Sequence, residues 1–162
     1  MQVLIMRHGD AVLDAASDAV RPLSDAGRDE SRQMACWLNE QNIDIERVLV
    51  SPYLRAQQTL EVVNNVLPLP EEADCLNELT PGGDALLVSY YLQTLAREGV
   101  GAVLVVSHLP LVGYLVAELC QNETAPMFAT SAIACVKVKV DVESGHGVLH
   151  WQVSPAQLNA KS

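Results

Sequence analysis

Aromatic residues make up only 4% of this 162-residue chain: two Trp, four Tyr and one Phe. So few rings offer no stacking platform for single-stranded nucleic acid. Basic residues are scarce as well. Ten Lys and Arg against 20 Asp and Glu leave a formal charge of -10. Such a surface repels phosphate backbones and anionic bilayers, which argues against nucleic-acid and membrane partners. The four cysteines, Cys36, Cys75, Cys120 and Cys135, form no Cys-x-x-Cys pair, and none has an Arg six positions later. That excludes the loop of a cysteine-dependent phosphatase. Cys36 and Cys135 lie in apolar periodic stretches and read as core. No apolar run reaches the ~20 residues of a membrane-spanning helix. The opening Met1-Gln2-Val3-Leu4-Ile5-Met6-Arg7 has neither a basic start nor a long apolar stretch. No signal peptide is therefore expected, and the protein is expected in the cytoplasm with reduced thiols. His146 and His150 have the spacing of helical metal ligands, but Gly145 and Gly147 oppose a helix there. No metal and no cofactor is expected.

What the chain does have is apolar mass: 49% hydrophobic residues against 19% charged, too apolar for disorder. Its length suits one domain over residues 1–162, burying roughly 69% of its unfolded surface. Val3 to Met6 is a buried strand feeding a loop at Arg7-His8-Gly9. Asp10 to Pro22 is small and acidic, as in a loop or short helix. Ser24 is the N-cap of a predicted helix to about Gln41, with Met34, Trp37 and Leu38 on one apolar face. Val48 to Val50 is a second buried strand. Ser51-Pro52 then opens a helix as cap and first helical residue, ending near Leu67-Pro68. Asp74 to Leu76 is a short strand. Thr80-Pro81 repeats the opening for a helix to about Glu98, stopped by Gly99. Val100 to Val106 is the strongest strand, and Pro110 starts a helix through Leu119. Ile133 to Val140 and Val148 to Val153 read as strands of a hairpin around Ser144-Gly145-His146-Gly147. The alternation predicts an α/β three-layer sandwich with a mostly parallel central sheet.

Three motifs fall at the C-terminal ends of predicted strands: Arg7-His8-Gly9, Ser51-Pro52-Tyr53-Leu54-Arg55-Ala56 and Ser107-His108. Open α/β sheets bind ligands along that edge. Arg-His-Gly alone carries little weight, and a lone His after a strand is most often structural. The joint delivery of two arginines and two histidines to one edge is what points to phosphoryl chemistry. A phosphoryl group spreads its charge over three oxygens, and the planar guanidinium of Arg binds two of them at once. Neutral imidazole attacks phosphorus and forms a covalent intermediate. A second imidazole, protonated, donates a hydrogen bond to the developing charge.

These motifs resemble those of the histidine phosphatase superfamily, with its phosphoglycerate-mutase-like fold. The match includes Ser51-Pro52-Tyr53-Leu54-Arg55-Ala56-Gln57-Gln58-Thr59 and Val106-Ser107-His108. Within that superfamily the chain closely resembles the small SixA-type phosphohistidine phosphatases. The likeness extends to Arg21-Pro22-Leu23-Ser24, Leu76-Asn77-Glu78-Leu79-Thr80-Pro81 and His108-Leu109-Pro110-Leu111-Val112-Gly113. It implies His8 as the phosphorylated nucleophile, and Arg7, Arg55 and His108 as the phosphate pocket, with Arg21 as a further pocket residue. It also implies a role in signal transduction, on a phosphotransfer domain of a relay or a phosphocarrier protein. Glu78 falls in a stretch similar to one that supplies an acid elsewhere in the superfamily. A carboxylate near a helix start equally explains it. Larger members insert a helical segment over the site. Too few residues separate Ser51 from Ser107 for such a lid, so an open site is expected, suited to a phosphorylated side chain on another protein. Two other readings are a phosphatase of small phosphate esters and a noncatalytic phosphate-binding module.

Overall fold

Strands β1 (Gln2–Arg7) and β4 (Ala102–Ser107) pair in parallel at the centre of a six-stranded sheet. Both are apolar runs because both of their faces are covered. The structure, a computed structural model, describes residues 1–140 and 146–159. Side chains alternate across the strands. Val3, Ile5, Val103 and Val105 therefore meet Leu92, Leu95, Val112 and Leu115, on helices α3 (Ala85–Arg97) and α4 (Leu111–Leu119). Leu4, Met6, Leu104 and Val106 point the other way, to Met34, Leu38, Ala56 and Val63 on α1 (Asp25–Asn39) and α2 (Leu54–Asn64). Each fully buried Val, Leu, Ile or Met among these contributes about 1.5–3 kcal/mol. The result is the predicted helix–sheet–helix stack.

Strand β2 (Arg47–Val50) pairs in parallel with β4 and with the short β3 (Asp74–Cys75). On the other side of β1, β5 (Ile133–Lys137) and β6 (Val148–Val153) add antiparallel strands, giving the order β3-β2-β4-β1-β5-β6. A short α5 (Pro155–Asn159) follows. The sheet is thus mixed and mostly parallel. Residues 51–101 hold only α2, β3, a 3-10 turn at Asn77–Leu79 and α3, with no covering insert.

The helix openings differ from expectation. α2 starts at Leu54, because the Ser51 hydroxyl accepts from Tyr53 N and pairs with His108 instead of capping a helix. α3 starts at Ala85 with Asp84 as its N-cap. Thr80 Oγ1 donates to Asn77 O and closes the 3-10 turn. Gly83 then packs so tightly on the Glu78 carbonyl that a Cβ would lie 1.9 Å from it. Gly99 ends α3 as expected, at φ +90°. Cys36 is exposed, not core, because Met34, Ala35 and Leu38 set the inward face of α1. β5 stops at Lys137. Most of the expected hairpin turn lies outside the described residues, and His146 forms an isolated bridge with Cys120.

Candidate active site

The sheet register assembles the site. Arg7 lies beside Ser107 across β1 and β4, and His8 N donates to Ser107 O at 2.9 Å. Ser51 N, just past β2, donates to Val106 O at 3.1 Å. The three motifs thus end side by side, and the His8 and His108 rings lie 5.0 Å apart.

His8 is held from both sides of its ring. Nδ1 lies 2.6 Å from the Gly9 carbonyl, which only accepts, so Nδ1 carries the proton. Nε2 then bears the lone pair, and it accepts from Arg55 Nε at 3.3 Å. Gly9 is pinned in turn, since its N–H donates to Thr59 Oγ1, which donates to Arg55 O. A Cβ on Gly9 would lie 2.7 Å from Ser31 Oγ and 2.8 Å from Gly27 O, so only glycine fits beside α1. His8 is 7% exposed. Burial, then the Arg55, Arg7 and Arg21 charges, push its pKa down to about 4 against the Gly9 hydrogen bond. The imidazole is neutral at pH 7, as nucleophilic attack requires.

The arginines are anchored by main chain. Arg7 Nη1 donates to Phe128 O at 2.8 Å, while its buried Nε has no partner among the described residues. Arg55 is 4% exposed. Its Nη1 donates to Asp18 O at 2.7 Å and its Nη2 to Asp18 Oδ2 at 3.2 Å, and its guanidinium sits 5.2 Å from the Tyr53 ring centroid. Arg21 donates to Val12 O and to Asp18 Oδ1. It reaches the cluster through Asp18 and has no hydrogen bond to His8. The hydrogen bond from Arg21, then the one from Arg55 Nη2, hold the Asp18 carboxyl below its ordinary pKa. Against a net charge of -10, the fold thus gathers three guanidinium groups within the field of one imidazole.

His108 differs from expectation in its charge. Burial, then His8 and Arg55, push its pKa down to about 3, so the ring is neutral at pH 7 rather than protonated. Its Nε2 lies 2.7 Å from Ser51 Oγ, and the Tyr53 ring meets it edge-on at 5.2 Å.

Glu78 lies in the 3-10 turn Asn77–Leu79. It lines a cavity with Asp84, Leu87, Tyr114 and Glu118 on the α3–α4 side. It has no hydrogen bond to either histidine, and it is not among the groups that act most on them, which are Arg55, Arg7 and Arg21 on His8 and His8, Arg55, Asp18 and Arg7 on His108. Among the described residues no group of three or more His, Cys, Asp or Glu is placed to hold a metal ion. Sequence reasoning missed Asp18, Ser51 and the Phe128 carbonyl. The Asp18–Arg21 spacing of three was the only local signal for the first. Ser51 was legible only as a helix cap, and a backbone carbonyl leaves no trace in sequence.

The two depressed histidines make stability depend on pH. Each folded pKa lies below the ordinary value of 6.5, so the unfolded chain binds protons first as pH falls. Stability should be full above pH 6.5 and decline toward about 4 for His8 and about 3 for His108. Urea unfolding at pH 7 and pH 4.5 should show this loss, and His8→Asn should flatten it. An equal loss in both proteins would remove His8 as its source.

A family model described as the histidine phosphatase superfamily, branch 1, matches residues 3–84. The phosphohistidine phosphatase SixA of Escherichia coli strain K12 is 66% identical over 158 residues, covering 98% of this chain and 96% of that protein. A SixA homologue of Haemophilus influenzae is 40% identical over 141 residues, 83% of this chain and 86% of the relative. A solved structure of the protein histidine phosphatase SixA complexed with tungstate superposes with a TM-score of 0.94 at 64% identity, covering 98% of this chain and 99% of that one. The α/β fold and mostly parallel sheet are those of these structures.

Proposed function

The chain belongs to the histidine phosphatase superfamily, and from that premise we propose that it is a protein-phosphohistidine phosphatase working through a phosphorylated His8. The observation that carries the reading is the state of His8: buried, neutral, with Nδ1 on Gly9 O and the Nε2 lone pair beside Arg55. In the proposed reaction His8 Nε2 attacks phosphorus. The P–N bond of the substrate breaks, and its electron pair stays on the substrate ring, which is already protonated on its other nitrogen and departs as neutral imidazole. Arg7, Arg55 and His108 stabilise the charge on the transferring oxygens. Water then attacks phosphorus, the pair returns to His8 Nε2, and inorganic phosphate departs. The binding of tungstate, a tetrahedral oxyanion, by the solved relative supports such a pocket. Arg21 is proposed to orient Asp18 and add positive potential. The mechanism has no step for Glu78, since a protonated imidazole leaves without help from a strong acid.

The proposed substrate is a folded phosphohistidine protein, a phosphotransfer domain or phosphocarrier of a signalling relay. Three segments that touch the arginines also expose apolar side chains: Val12 and Leu13, Val20, and Met127. Leu13 and Met127 are 85% and 78% exposed, which suits contact with a protein surface. No helix among the described residues is long and apolar enough to cross a membrane. The cytoplasm is the proposed setting, where the four free cysteines would stay reduced.

Turnover of a phosphohistidine protein and of a simple aryl phosphate tests this reading. The kcat/KM for the protein should be at least ~10²-fold higher, which needs about 2.7 kcal/mol of extra transition-state stabilisation. Activity should persist in excess EDTA, because the arginines supply the charge a divalent ion supplies elsewhere. Equal values for both substrates would favour small esters. Binding of oxyanion without turnover would favour a noncatalytic module.

A further inference from the structure

Ser51 is wholly buried, and its hydroxyl has two partners: Tyr53 N, which donates to it at 3.2 Å, and His108 Nε2 at 2.7 Å. A backbone N–H only donates, so one lone pair of Ser51 Oγ is already taken. The hydroxyl proton has one acceptor left, His108 Nε2. The opposite arrangement, His108 donating to Ser51, would leave two buried groups unpaired, the Ser51 proton and the Nδ1 lone pair, against one, the Nδ1–H, when Ser51 donates. His108 Nδ1 is itself buried and has no protein partner among the described residues.

We infer that Ser51 is a positioning residue that fixes His108 as its Nδ1–H tautomer, so that a neutral imidazole presents a hydrogen-bond donor to the phosphoryl oxygens. The inference rests on the proposed reaction for what the donor serves, but not for the tautomer. It reconciles two facts about His108: the site suppresses its positive charge, and the chemistry calls for a donor. A neutral donor adds no repulsion to Arg7 and Arg55, and it keeps its proton while His8 attacks. His8 is also an Nδ1–H tautomer, but for the reverse use. There a carbonyl takes the proton and frees Nε2 as nucleophile. On His108 a hydroxyl satisfies Nε2 and leaves Nδ1–H free to bind. Two rings 5.0 Å apart thus acquire opposite roles from one neighbour each.

Long-range proton–nitrogen correlation on protein labelled with ¹⁵N-histidine reads the tautomer directly, with His108→Gln assigning the signals. The wild-type protein should show a protonated Nδ1 and an unprotonated Nε2 at His108, and adding vanadate should shift the Nδ1 proton. A protonated Nε2 in the wild type, or an Nδ1 proton indifferent to vanadate, would overturn the inference. Ser51→Ala should move His108 toward the Nε2–H tautomer and lower kcat on the order of 10²-fold, as for loss of one transition-state donor. KM should barely change, and Ser51→Thr should restore both tautomer and kcat. An unchanged tautomer in Ser51→Ala would also refute it. Failure of the proposed substrate to turn over would leave the wild-type tautomer result standing, so the two failures are distinguishable.

Discussion

His8→Ala is expected to lose turnover of a phosphohistidine protein by on the order of 10⁴-fold or more, because removing a nucleophile disables the groups that act with it. Arg55 Nε, which donates to His8 Nε2 at 3.3 Å, would then steady a transition state with no attacking atom. The variant should fold, since the Ser131 N–H and Ser107 O that hold residue 8 bond only to its main chain. It should also still bind vanadate through Arg7 and Arg55, which separates loss of chemistry from loss of the pocket. A rapid acid-free quench of wild-type turnover with labelled substrate should trap phosphate on His8. The adduct should survive alkali and be lost in acid, as phosphoramidates are. Because the His8 pKa is pushed down to about 4, the nucleophile stays unprotonated on acidification. No loss of kcat/KM assigned to His8 is expected between pH 7 and about 5. An intact rate in His8→Ala, or label on another residue, would end the proposal.

Much of this arrangement was legible in the sequence, and the reason is geometric. A parallel strand buried on both faces must be apolar, and its end is marked where polar residues resume. Val3–Met6 before Arg7-His8 and Val100–Val106 before Ser107-His108 announce the sheet and the edge together. Arg55 follows because a short loop after β2 returns α2 along the same edge. What was not legible depends on contacts remote in sequence. Ser51-Pro52 has the residues of a cap, but His108, 57 residues on, claims the hydroxyl. The need for a hydrogen-bond donor suggested a charged His108, yet burial, which a sequence does not show, keeps the ring neutral. Asp18 looked like one more acid in an acidic loop until the Arg55 guanidinium was found gripping both its carbonyl and its carboxylate.

Replacing Arg55 with Lys should lower kcat on the order of 10²-fold while leaving the net charge unchanged, the loss typical of one transition-state donor. The guanidinium makes three directed contacts at once: Nε to His8, Nη1 to the Asp18 carbonyl and Nη2 to the Asp18 carboxylate. An ammonium group is a compact point charge on a flexible stem and cannot reproduce that fork. In Arg55→Lys the ammonium would have to leave either His8 or Asp18. If it kept Asp18, His8 Nε2 would lose its directed cation and phosphorus would meet a less well aligned lone pair. If it kept His8, the Asp18 turn would be released and Arg21 would lose the carboxylate that orients it. In both cases the geometry around a five-coordinate phosphorus suffers more than the attraction for a phosphate dianion, so KM should change less than kcat. Vanadate, which adopts that five-coordinate geometry, should inhibit the wild type more strongly than Arg55→Lys, whereas inorganic phosphate should discriminate less between them. Equal vanadate inhibition of the two proteins, with kcat unchanged, would place Arg55 outside the reacting group.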